Sequence, residues 1–207
     1  MAFMSSIAIV DLHGGTPNTA IAALSTHAEA NRADIEIFDA VAGTFPRPRR
    51  FDAYLITSGP GMPNDNAPWR VRVQAAIPEW AKSKPVFAIG LGFQLMAAAY
   101  GWPVRPTKTR RDGVFPLTPT PAGWSDPLMK DMENATPVFE HRTWGVLSPP
   151  AAPRSGAVVL AYSSAGDVAA ARFSKNAAGT IFHPEARIEG TASTLIARFL
   201  ISAGDAK

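Results

Sequence analysis

The 207-residue sequence contains no cysteine. That single absence excludes disulfides, thiolate metal sites and any thiol nucleophile, and it suits a reducing compartment. Charge of one sign is scarce as well: 20 basic and 17 acidic residues leave a formal +3. The basic residues are scattered, with no aromatic-interleaved stripe, so no nucleic-acid partner is expected. Long hydrophobic runs are also missing at the start. The opening "MAFMSSIAIVDLHGG" has no positively charged leader, and its apolar run breaks at Asp11. It is too short for a signal peptide or a membrane span, so a cytoplasmic protein without a membrane partner is expected. No internal repeat or low-complexity tract stands out.

What is present is a globular composition, 46% hydrophobic and 18% charged, too apolar for a disordered chain. The length suffices for one α/β core, and we expect a single domain over residues 1–207. Ser6 to Val10 is a short apolar run that ends in Asp11, His13, Gly14 and Gly15, the pattern of a buried parallel strand feeding a loop. Thr16 and Pro17 read as an N-cap and first helical position. A helix to about Asn31 follows, with Ile21, Leu24 and Ala28 facing the core. "DIEIF" and "FDAYLITSG" read as strands. Trp69 to Lys82 reads as a helix with Val71, Ala75, Ile77 and Trp80 inward, returning the chain to the strand "PVFAI".

This alternation predicts a parallel, doubly wound sheet. From Trp102 to about Phe173 the pattern changes to short β-like runs, among them "GVFPLTP", "TPVFEHRTWGVL", "AVVLAYS" and "VAAARF". They predict an antiparallel excursion. "GTIFHPEARIEGTASTLIARFL" restores strand, loop and a closing helix with Leu195, Ile196 and Phe199 inward. Three loops then fall at strand ends: "SGPGMP" from Ser58, "GLGFQ" from Gly90 and "FHPE" from Phe182. In a parallel sheet they share one edge, where clefts form. Glycine-rich backbone can offer N–H donors to a developing oxyanion, the second loop is a strand-to-helix elbow, and the third supplies an imidazole and a carboxylate.

The order "SGPGMP", "AIGLGFQLMAAAYG", "FHPE", with a β-rich insert before the last, resembles the class I glutamine amidotransferase family. The resemblance runs from the first strand to the last helix and implies a flavodoxin-like α/β fold. In that family the elbow reads glycine, any residue, cysteine, any residue, glycine, then His-Gln and an apolar helix. By this resemblance His183 matches the general base and Glu185 the residue that orients it. Gly59 and Gly61 match the oxyanion loop and Gln94 the glutamine-binding position. Glu140, His141 and Trp144 fall where the family has a strand bordering the glutamine pocket.

The nucleophile position is Gly90, which has no side chain to attack an amide. Ala88 replaces the first glycine of the elbow pattern and Phe93 the usual histidine; several changes in one loop look like divergence more than a single designed inactivation. Ser58 would approach a carbonyl from the side that should hold its oxygen, a poor geometry for a substitute nucleophile. Asp11 and His13 could join His183 and Glu185 around a metal or a water, but they lack a recognised ligand spacing. We expect neither metal nor cofactor.

Two readings of individual residues stay open: Gln94 and the His183–Glu185 pair as structural groups, or as parts of a working pocket. The clusters Arg47, Arg49, Arg50 and Arg105, Lys108, Arg110, Arg111 read as solvated surface, with contact to a partner or a phosphate as the alternative. The expected function is that of an amidotransferase-like protein without glutaminase activity, acting as a subunit or a regulatory or docking partner of a separate synthase or ligase. Three alternatives remain. One is a hydrolase or transferase of altered chemistry acting on a small amide or amino-acid-like ligand through His183 and Glu185. The second is a module binding glutamine or a related small molecule, and the third a chain inactivated by design. The oligomeric state is left open.

Overall fold

The computed structural model describes residues 5–15, 18–149, 156–186 and 191–205. The first half alternates strands and helices: β1 (Ser6–Asp11), α1 (Thr19–Ala30), β2 (Asp34–Asp39), β3 (Ala53–Ile56), α2 (Pro68–Ala81), β4 (Val86–Ile89) and α3 (Leu91–Ala99). The second half contributes β5 (Val104–Pro119), α4 (Pro121–Ser125), β6 (Thr136–Val146), β7 (Val158–Ser163), β8 (Val168–Ser174), β9 (Ala177–Thr180) and the closing helix α5 (Thr194–Asp205). The fold is mixed α/β, with α1 against α5 and α2 against α3. No described helix is long and apolar enough to cross a membrane.

Among the described residues the strands form one sheet in the order β2-β1-β3-β4-β9-β8-β6-β5-β7. β2, β1, β3, β4 and β9 run parallel. β3 and β4 are buried at every position, as expected for parallel strands covered on both faces. β8, β6, β5 and β7 pair antiparallel, and an additional β7–β8 pairing closes them into a barrel-like ring. The antiparallel excursion is therefore present, and β9 returns from it to complete the parallel set beside β4.

Two local expectations are corrected. The cap of α1 is Asn18, whose side-chain oxygen accepts from the Ile21 N–H at 2.8 Å; the expected pair Thr16 and Pro17 lies outside the described residues. An asparagine oxygen there satisfies one of the helix's orphan donors. In α2, Val71 and Ala75 are exposed, and the inward face is Arg70, Val73, Ile77, Trp80 and Ala81. The segment carries apolar residues at both 71 and 73, so composition alone permits two phases. Burial of Trp80 stacked on Tyr54 at 5.0 Å goes with the second.

The clusters read as surface divide. Arg50 is half exposed and pairs with Glu36. Arg111 is buried: its Nε donates to Glu140 Oε2 at 2.6 Å and its Nη2 to Oε1 at 3.1 Å. Glu140 also accepts from Arg142 Nε at 2.7 Å, and Arg142 Nη2 donates to Asp167 Oδ1 at 2.9 Å. This ladder of two arginines and two carboxylates lies inside the antiparallel half, where each charge is neutralised by a partner.

Candidate functional site

The carboxyl ends of the parallel strands carry the loops singled out in the sequence: Asp11 to His13 after β1, Ser58 to Gly61 after β3, Gly90 after β4, and Phe182 to Glu185 after β9. Gly90 adopts φ 55° and ψ −115°, a left-handed conformation that favours glycine. Its N–H donates to the Thr180 carbonyl at 2.9 Å, and its own carbonyl accepts from the Gln94 N–H at 3.1 Å, opening α3. The sharp strand-to-helix elbow is intact.

The space above that elbow is taken. A Cβ on Gly90 would lie 2.3 Å from Ser58 Oγ, 2.7 Å from Ser58 Cβ and 3.4 Å from His183 Cε1. The His183 ring thus faces the elbow, but the Ser58 side chain stands where a side chain at position 90 would begin. Ser58 Oγ accepts from the Leu91 N–H at 3.2 Å. His183 Nδ1 is 2.7 Å from Glu185 Oε1, and the His183 N–H donates to the Phe139 carbonyl at 2.9 Å. Glu185 is buried, and among the described residues its Oε2 has no hydrogen-bond partner, a costly arrangement of the kind found at functional sites.

The glycine loop is fixed by close approach. A Cβ on Gly59 would come within 2.3 Å of the Leu12 carbonyl oxygen, and one on Gly61 within 2.2 Å of Arg70 Nη2. Arg70, buried at the start of α2, donates to the Met62 carbonyl at 2.6 Å and the Pro60 carbonyl at 3.3 Å, and it pairs with Asp65 at 2.7 Å. Sequence reasoning missed this clamp. The available signal was an arginine directly after a loop rich in Gly, Pro, Asn and Asp, whose carbonyls need donors.

Gln94 Nε2 donates to the Trp144 carbonyl at 3.0 Å, as does Arg142 Nη1, also at 3.0 Å. Gln94 therefore ties α3 to β6. His141 is exposed, with Nδ1 at 2.9 Å from Asp112 Oδ1. Its hydrogen bond holds the Asp112 carboxyl below the usual aspartate range. Phe93, the departure next to the elbow, is fully buried and packs on Phe173 at 5.6 Å. It lies where Gly179 leaves room, since a Cβ there would meet Phe93 Cδ2 at 2.9 Å.

These positions divide between two concavities. Gly59, Gly61, Gly90, Gln94, His141 and Trp144 line one cavity of about 230 Å³, together with Ser58, Arg110 and Arg142. His183 and Glu185 line a neighbouring groove of about 610 Å³ with His13, Phe139 and the start of α1. His141 borders both. The expected set is thus brought to one edge of the sheet, with His183 Cε1 3.4 Å from where a Cβ at position 90 would stand. Asp11 sits behind His13, its Oδ1 2.8 Å from Nδ1. Among the described residues no group of three or more His, Cys, Asp or Glu is placed to hold a metal ion.

The glutamine amidotransferase class-I family profile matches residues 19–203. The chain belongs to the class I glutamine amidotransferase family. Solved structures agree on the fold at low identity. A Thermoplasma acidophilum protein, provisionally named as a GMP synthase subunit, is 17% identical over 98% of this chain and 96% of its own, with a TM-score of 0.78. A glutamine amidotransferase from Thermotoga maritima is 16% identical over 98% of this chain and 84% of its own, TM-score 0.74. One from Methylobacillus flagellatus is 19% identical over 89% and 72%, TM-score 0.73. No curated protein matches the chain.

Proposed function

We propose that this amidotransferase-family chain has lost glutaminase activity and acts as a subunit or docking partner of a separate synthase or ligase polypeptide. The observation that carries the first half is the elbow: position 90 has no side chain, and Ser58 fills the room in which one would stand. With no side chain at position 90, the histidine base lacks the thiol that the family's acyl transfer begins from. The second half is supported by membership of a family whose glutaminase domains deliver ammonia to another active site, and by a structural neighbour named as a synthase subunit. We read residues 1–207 as a single domain. The parallel order β2-β1-β3-β4-β9 supports a flavodoxin-like, doubly wound description.

In this reading Gly59 and Gly61 are the remnant of the oxyanion loop, while Gln94, His141 and Trp144 border a retained pocket for glutamine or a related small molecule. Crosslinking in the source cells followed by mass spectrometry tests the partner: a synthase or ligase chain is expected, and recovery of only monomer or homodimer would remove the idea. A second reading rests on the His183–Glu185 pair at 2.7 Å, an oriented imidazole available for altered chemistry on a small amide or ester. A screen of such substrates with the parent and His183→Ala decides it, since equal background turnover leaves that reading without support.

A further inference from the structure

We infer that Ser58 is a second lock on the elbow, so that the site cannot be re-armed by a change at Gly90 alone. The inference rests on the proposed reading of position 90 as an emptied nucleophile position, and it names the residue that excludes a nucleophile and an acyl group from the same spot.

The steric half is the pair of distances from a Cβ at position 90, 2.3 Å to Ser58 Oγ and 2.7 Å to Ser58 Cβ. Rotation about χ1 would carry Oγ away. It would leave Cβ, which is still closer than the 3.0 Å below which real Cβ contacts essentially do not occur. Relief therefore needs a backbone shift at Gly90, whose N–H donates to the Thr180 carbonyl at 2.9 Å and whose carbonyl accepts from the Gln94 N–H at 3.1 Å, or at Ser58, which is held as well. The Ser58 carbonyl accepts from Thr57 Oγ1 at 2.7 Å, and the next residue, Gly59, is packed against the Leu12 carbonyl with no room for a Cβ.

The polar half concerns the Leu91 N–H. It belongs to the first residue of α3 and has no acceptor within the helix. It also belongs to the residue after the elbow, which in nucleophile elbows donates to the developing oxyanion. Ser58 Oγ accepts from it at 3.2 Å, so an incoming carbonyl would have to displace the hydroxyl. One side chain thus occupies both the nucleophile's space and an oxyanion donor. Ligands entering the cavity are confined to its other part, along Gln94, Arg142 and Trp144.

The test is a double-mutant cycle in the full chain: Gly90→Cys combined with Ser58 retained, Ser58→Ala or Ser58→Gly. Because the sequence has no other cysteine, alkylation by iodoacetamide, followed by mass spectrometry, reports a single thiol. Gly90→Cys alone is expected to unfold at lower temperature than the parent and to alkylate slowly. Ser58→Ala should give partial recovery, since Cβ remains, and Ser58→Gly the fullest. In Gly90→Cys/Ser58→Gly the thiol should react on the order of tenfold faster at neutral pH, and His183→Ala should abolish that gain, because a neighbouring imidazole raises the thiolate fraction. A matching series with Gly90→Ala, read by unfolding temperature, isolates the steric half should the thiol variant with Ser58 retained fail to fold.

Equal stability and equal alkylation in all three Ser58 backgrounds would overturn the lock, as would failure of Ser58→Gly to rescue either substitution at position 90. Neither result touches the proposed loss of glutaminase activity. That reading fails separately, if the parent chain itself hydrolyses glutamine.

Discussion

The floor and the wall of the elbow cavity are held in place by different physics. The floor, Ser58 to Gly61 and Gly90 at the ends of β3 and β4, rests on apolar buried strands, with Gly59 packed on the Leu12 backbone, Gly61 on the Arg70 guanidinium and Gly90 on the Ser58 side chain. The wall, β6 with its neighbours, rests on charge: Arg111, Glu140, Arg142 and Asp167 are buried and bonded to one another. By the family resemblance the departures are Gly90 in the floor and Ala88 and Phe93 beside it, whereas the wall holds a buried charge network next to Trp144.

The wall offers the largest break of that comparison. Glu140 is fully buried between two guanidinium groups, so Glu140→Ala leaves Arg111 short of its carboxylate and Arg142 with one carboxylate partner, Asp167. A loss of about 3–5 kcal/mol in urea unfolding is expected, the range for removing one partner of a buried pair. A loss within the range of a surface substitution would mean that the ladder does not hold the wall. In the floor, Gly59→Ala forces a methyl to 2.3 Å from the Leu12 carbonyl. Its expected cost is about 1–3 kcal/mol, typical of overpacking, measured in the same way.

The smallest effect separates the exposed rim from both. His141 lowers the Asp112 pKa from its ordinary 3.8, so this pair contributes stability above the unfolded value that is lost as pH falls through the folded one. Both groups are exposed, and the contribution to stability should be slight. In a carboxylate NMR titration Asp112 should titrate below 3.8 in the parent and move upward in His141→Gln. No movement would remove His141 as the cause.

The sequence made the floor legible and most of the wall illegible. Strand, loop and helix alternate with distinct periods in the first half, and Gly, Pro, Asn and Asp mark the loop between β3 and α2, so the elbow and its glycine partners stood out as motifs. Arg111 did not, because it sits among Arg105, Lys108 and Arg110 and only the pairing of β5 with β6 turns it inward onto Glu140. Arg70 was hidden for a similar reason: its partners are carbonyls of a loop, which carry no side-chain signature. Ser58 was visible as a candidate nucleophile with poor geometry. Its occupation of the elbow is a contact across 33 positions of chain, set by the β3–β4 pairing and by the turn at Gly90.

Release of glutamate from glutamine, measured on the purified parent chain beside His183→Ala, tests the central claim most directly. The account predicts that both proteins stay at buffer background. Glutamate release by the parent that His183→Ala abolishes would contradict it.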